Sequence, residues 1–233
     1  MLRLAAIVLL LAAAPAGAAT RNFSVVSFTK LEVSGPYQVD VRTGSGQSAT
    51  ATGSQRALDQ LTVEVRGDRL VIQPNRANWG GWSWDNKDGP VVIVLTVPSL
   101  ASAVLSGSGT VTIDRLRGES FAGGVKGAGK LVVAQSAAAR LTLSVNGAGV
   151  LRIAGRCAQA TVNLNGSGTV DAAALRCDDA QVNAEGSGTI GLTADRSAKL
   201  AAVGSGDITV TGSASCLVNA TGSGAVRCGK AAK

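Results

Sequence analysis

The chain has 233 residues, 45% of them hydrophobic but only 3% aromatic, with 30 glycines, no histidine and a formal charge of +7. The missing histidine excludes Ser-His-Asp and Cys-His nucleophile systems and most zinc sites. Its basic residues are scattered rather than run together, and with few aromatics to stack on bases this points to a solvated surface that adheres to anionic envelope polymers, not to nucleic acid.

Residues 1–19 read as an export signal. Arg3 precedes the apolar run Leu4 to Ala14, then come Pro15 and a small-residue cleavage site, Ala16-Gly17-Ala18. The run is too short to span a membrane, and no later stretch reads as a transmembrane helix. Cleavage leaves about 214 residues, enough for one β-rich domain with a continuous core. The expected address is the periplasm or the cell surface.

Residues 20–73 alternate apolar and polar positions imperfectly. Leu31 and Val33 lead into Ser34-Gly35-Pro36, Val39 and Val41 resume the alternation, and Leu61, Val63 and Val65 precede a Gly67-Asp68 turn before Leu70 and Ile72. These are expected to be irregular N-terminal coils, since the terminal repeats of a solenoid are atypical. Residues 74–90 interrupt the pattern with all three tryptophans, Trp79, Trp82 and Trp84, beside Arg76 and Asp85. Such a loop suits a saccharide platform, with indole faces for a sugar ring and polar groups beside them. The structural alternative folds the indoles over an apolar edge of the domain.

From residue 91 to 229 one corner recurs, Gly-Ser/Ala-Gly. The pairs are Gly107 and Gly109, Gly127 and Gly129, Gly147 and Gly149, Gly166 and Gly168, Gly186 and Gly188, Gly204 and Gly206, and Gly222 and Gly224. Successive corners lie 20, 20, 19, 20, 18 and 18 residues apart. Period-two alternation flanks each one, as at Ala160, Val162 and Leu164 before Gly166 and Val170 and Ala172 after it. The pattern predicts an all-β right-handed, single-stranded parallel β-helix whose coils bury their apolar positions by stacking. Residues 230–233 form a polar tail, and the open strand edges at the ends are sites of possible self-association.

Cys157 and Cys177 each lie nine residues before a corner glycine, so stacking places their Cα atoms about 4.8 Å apart, within disulfide reach. Cys216 and Cys228 lie six residues before and six after Gly222, in inward phase on two legs of one coil. They read either as buried thiols or as a terminal staple. Asn163, Asn183 and Asn219 fall three residues before a corner, and Asn146 and Asn165 one before. Stacked amides form a structural ladder or present polar groups to a glycan. Asp207 after Gly206 suggests a calcium roll, but the equivalent positions are Thr110, Lys130, Val150, Thr169, Thr189 and Ala225, so no metal or other cofactor is expected.

Phe23, the Leu31-x-Val33-Ser-Gly-Pro-Tyr37 run, the Gly67-Asp68-x-Leu70 turn, the tryptophan loop, Val97-Pro98-x-Leu100 and Leu-Ser-Gly-Ser-Gly at 105–109 together resemble the bacterial family called putative auto-transporter adhesin, head GIN domain. The resemblance spans roughly residues 23–229. It implies an exported β-helix with adhesion proposed by analogy and no catalytic residues to carry over. The expected function is therefore a non-enzymatic binding or adhesion-like protein of the cell envelope, with an envelope polysaccharide or another surface polymer as partner. One alternative is a polysaccharide lyase or hydrolase, which requires Asp171, Asp178, Asp179, Glu185 and Asp195, or some of them with Arg152, Arg156 or Arg176, to converge in a groove. Asp178 and Asp179 are expected where a coil leaves its strand for a loop. The other alternative is a structural envelope component without a small ligand.

Overall fold

The glycine corners stack. In a computed structural model, which describes residues 18–44, 46–75 and 89–229, the Gly147 carbonyl accepts from the Ser167 N–H at 3.1 Å, and the Gly149 carbonyl from Thr169 at 2.9 Å. The same exchange continues from corner to corner along the axis. Two different constraints fix the two glycines of each corner. The first has a positive φ, +119° at Gly166, where only glycine is unstrained. The second, as at Gly168, has no such φ, but a Cβ there would lie 2.6 Å from the Gly149 carbonyl oxygen below it.

The corners join β8 (Ser102–Gly107), β9 (Thr110–Ile113), β10 (Leu116–Gly127), β11 (Lys130–Gly147), β12 (Val150–Gly166), β13 (Thr169–Gly186), β14 (Thr189–Gly204), β15 (Asp207–Thr211), β16 (Ser215–Thr221) and β17 (Val226–Cys228). All the ladders from β8 onward are parallel. The result is a β-solenoid of about six turns, as the repeat predicts. Inward positions fall in rows: Val33, Leu105, Val125, Val145 and Leu164 are in register and no more than 2% exposed. Packing compensates between rows. Phe121 is buried beside Gly123, where a Cβ would come within 3.0 Å of its ring.

β10 to β13 run on through a second bend, where Leu116, Ser136, Gly155 and Leu175 are in register. Coil lengths of 18 to 20 residues are absorbed after the glycine corners. Between β13 and β14 the pairing offset changes twice, between Ala172 and Arg176 and between Cys177 and Asp179. Asp178 and Asp179 nonetheless lie inside β13, not at a strand-to-loop exit, because the strand continues through the shift: Asp179 pairs with Gln159 on one side and Ser197 on the other.

The N-terminal part differs from the expected coils. β2 (Lys30–Ser34) and β3 (Gln38–Thr43) do form a first coil, parallel to β8 and β9. Beyond it, β4 (Ser48–Gly53) runs antiparallel to both β1 (Ala19–Phe23) and β7 (Val92–Val97). β5 (Leu61–Arg66) and β6 (Arg69–Pro74) form an antiparallel hairpin around Gly67, φ +62°. The short helix α1 (Gln55–Asp59) is capped by the Ser54 hydroxyl, which accepts from the Ala57 N–H, and it buries Leu58. β6 and β7 still stack in parallel on β2 and β3, as coil strands do, while β1, β4 and β5 pair antiparallel. Alternation gives the face of a residue but not the direction of its strand, so the antiparallel strands read like imperfect coils. The expected export signal, as far as residue 17, and the residues Arg76, Trp79, Trp82, Trp84 and Asp85 lie outside the described residues.

Both cysteine pairs are bridged. Cys157 and Cys177 join neighbouring coils with Cα atoms 4.5 Å apart. Cys216 and Cys228 also form a disulfide, 6.4 Å between Cα atoms, so the buried-thiol reading of that pair fails. Among the described residues no further coil covers Cys216, which is exposed.

Tyr37, the chain's one tyrosine, is 1% exposed, and burial pushes its phenol up to about 12. The unfolded chain ionises near 10.0 and the folded one near 12, so this contribution to stability is complete below pH 10 and lost as pH rises toward 12. A tyrosinate absorbance titration is expected to show a single midpoint near 12 in the native protein, falling to about 10 in urea. A native midpoint near 10 contradicts the burial of this ring.

Candidate binding face

Outward residues of the strand leg before each corner form columns as regular as the core. In the column three residues before the corner, Ser144, Asn163, Asn183, Ala201 and Asn219 are in register across five coils. The Asn183 amide nitrogen donates to the Asn163 side-chain oxygen at 2.9 Å, so part of this column is the structural ladder expected of stacked amides. Ala201 then breaks the row. Its small side chain leaves a groove of about 200 Å³ lined by Gln181, Asn183, Lys199, Leu200, Ala201, Leu217 and Asn219. Among the described residues no side-chain partner engages Gln181, Lys199 or Asn219, while Leu217 is 67% exposed. Two unspent carboxamides, an ammonium and an apolar side chain thus share one shallow groove.

A second cleft, about 220 Å³, is bordered by Thr43, Gly44, Pro98, Ser99, Leu100, Arg115 and Arg117. Beside it Asp114 accepts at Oδ1 from the Thr43 N–H at 2.9 Å and the Arg115 N–H at 2.6 Å. Arg115 and Arg117 are both exposed and, among the described residues, without an acidic partner, unlike the paired arginines of the coils. The cleft draws on three distant stretches of chain, and for that reason no sequence pattern marks it. The groove at Ala201 had a signal, the missing amide in the asparagine column.

The carboxylates considered for catalysis do not converge. Asp171 pairs with Arg152 at 2.8 Å, and Asp195 with Arg176 at 2.5 Å. Asp179 is held by Arg196 and by the Ser197 hydroxyl at 2.7 Å. Among the described residues Glu185 meets only the Asn165 amide, at 3.5 Å, and neither Asp178 nor Arg156 takes part in an ion pair. Hydrogen bonds from Arg196 and Ser197 bring the Asp179 carboxyl down to about 2, and Arg176 holds Asp195 below the usual range. Carboxyls this acidic are poor proton carriers near neutral pH. Among the described residues no three His, Cys, Asp or Glu side chains are grouped to hold a metal ion.

Three comparisons bear on this fold. The family model described as "Putative auto-transporter adhesin, head GIN domain" matches residues 27–214. A solved putative adhesin from Bacteroides fragilis is similar at 19% identity and a TM-score of 0.81, covering 92% of this chain and 97% of its own. A putative lipid binding protein from Parabacteroides distasonis follows at 20% identity and a TM-score of 0.73, with the same coverage. A putative adhesin from Parabacteroides merdae has 14% identity, a TM-score of 0.70, and coverage of 90% and 95%. Among curated proteins none matches. At these identities the solved structures speak for the fold, while the family match extends over most of the sequence. On that match the chain belongs to the head GIN domain family of putative auto-transporter adhesins.

Proposed function

We propose that the protein is an exported, non-enzymatic binding protein of the bacterial cell envelope, adhesion-like in action, which grips a surface polysaccharide along the outward face of its coils. The observation that carries this reading is the interrupted amide column: Asn183 and Asn219 flank the Ala201 gap with Gln181 and Lys199 beside them. Carboxamides offer both donors and acceptors, as vicinal hydroxyls do, and Leu217 offers an apolar surface to a ring face. A groove of about 200 Å³ is smaller than the ~300 Å³ of typical small-molecule pockets. It suits one unit of an extended polymer better than an isolated ligand. Arg115 and Arg117 add attraction for acidic polymers, consistent with the net positive charge. The adhesin name of the family supports the reading, and the pairing of Asp171, Asp179 and Asp195 with separate arginines, with Asp179 and Asp195 held below the usual carboxylate range, weighs against the lyase or hydrolase alternative. The tryptophan loop, with Trp79, Trp82 and Trp84, is a second proposed contact.

The test is binding of the purified protein to an array of envelope polysaccharides, neutral and acidic, beside two double variants. Asn183→Ala with Asn219→Ala is expected to weaken binding about tenfold by removing two hydrogen-bonding groups. Trp82→Ala with Trp84→Ala measures the loop's share. Saturable binding lost only in the tryptophan variant transfers the site to the loop. No binding to any polysaccharide overturns the reading.

A further inference from the structure

The last coil ends in an unusual strand. All seven residues of β16, Ser215 to Thr221, are exposed, and among the described residues β16 pairs on one side only, with β14. Its inward residue Val218 stacks on Leu200, which is 2% exposed, yet Val218 itself is 46% exposed because nothing among the described residues lies over it. The strand carries no charged residue. It is also held in shape, since the Cys216–Cys228 disulfide ties it to β17, the other leg of the same coil. An uncharged, pre-shaped edge with an open end of the core beneath it is the kind of strand that natural proteins usually guard with charge or a covering segment.

The opposite end of the solenoid is guarded. Its outer strands are antiparallel to their neighbours and charged: β5 ends in the Glu64–Arg66 pair, and Arg21 of β1 is bound to Asp59 at 2.5 Å and to the Leu58 carbonyl at 2.9 Å. Docking β16 on that end must strip water from these ion pairs, whereas β16 against β16 brings no charge into contact. Two copies meeting this way are related by a two-fold axis, which uses up both free edges and closes the assembly at two.

We propose that β16 is a self-association edge, and that two copies of this chain join tail to tail by antiparallel pairing of their β16 strands about Val218. In that register Val218 faces Val218, Cys216 faces Ala220, and the two cores become one. The contact is a single coil end, on the order of 1,000 Å² in total, at the low end of specific interfaces. The dimer is therefore expected to be weak and concentration-dependent.

Sedimentation equilibrium of the purified, oxidised protein over micromolar concentrations reads it directly. The expected result is a monomer–dimer equilibrium. Val218→Lys sets like charges against each other at the two-fold and is expected to weaken the dimer ~100-fold, as is Val218→Glu alone. Mixing the two variants is expected to restore a dimer, which separates loss of the interface from loss of folding. A monomer throughout overturns the proposal, as does growth into species larger than two, which indicates head-to-tail stacking, or a mixture that fails to recover.

Discussion

Replacing Gly166 by alanine is expected to lower stability by about 4 kcal/mol, a large share of what a domain possesses. Two costs combine. A residue with a Cβ is strained at φ +119°, typically by about 1–3 kcal/mol. The added Cβ also lies 2.6 Å from the Gly147 carbonyl oxygen, which already accepts the Ser167 N–H at 3.1 Å. Neither backbone can withdraw without lengthening that hydrogen bond and those of the next corner. Gly118→Ala separates the terms, because Gly118 has φ +134° but nothing within 4 Å of the added carbon. Only the strain applies there, so about 1–2 kcal/mol is expected. Urea unfolding of both variants beside Ser167→Ala, an exposed corner position expected to change little, checks this. Equal losses at Gly118 and Gly166 leave the stacking argument without support.

The two disulfides are expected to differ in kind. Cys157 and Cys177 lie 20 residues apart, and removing both as alanines is expected to cost about 3 kcal/mol, mainly through freedom returned to the unfolded chain. The damage is global, since these residues sit in β12 and β13, with full coils on both sides. Removing Cys216 and Cys228 acts locally. β16 and β17 have one neighbouring strand each, so without the bridge the last coil frays while the rest persists. Hydrogen exchange is the measurement that distinguishes them. The terminal variant is expected to lose protection in residues 215–228 with β11 to β13 unchanged. Loss of protection throughout shows instead that the last coil supports the whole stack.

The regular coils were legible because one signal was repeated. A corner glycine at a fixed interval sets the register, and from the register follow the inward rows, the Asn163–Asn183 contact and the Cys157–Cys177 bridge. The cap was not legible. Val63 and Val65 alternate as a coil strand does, yet they belong to a hairpin, and only the Gly67-Asp68 turn carried that message. The acids are illegible for a related reason: Asp178 and Asp179 interrupt the apolar alternation as a loop does, yet they fall at a shift of pairing offset inside β13, and Asp179 is still paired on both sides. The candidate groove is made by an absence, Ala201 in an asparagine column, and its meaning appears only once coils are laid side by side. Lys199 and Leu217 reach the same groove from two consecutive coils.

The stacked corners make length a heritable variable. Each coil from β11 to β14 meets its neighbours through the same ladder and almost nothing beyond. Duplication or loss of about twenty codons therefore adds or removes one whole storey without redesigning the others. The reach of the outward face changes with it in steps of about 4.8 Å. If the outward face grips a polymer as proposed, a lineage can in this way match it to a longer or shorter run while keeping the cap and the Cys216–Cys228 staple unchanged. Residues such as Ala201 then act as placeable notches, and moving one by a coil shifts a contact by one step along the same axis.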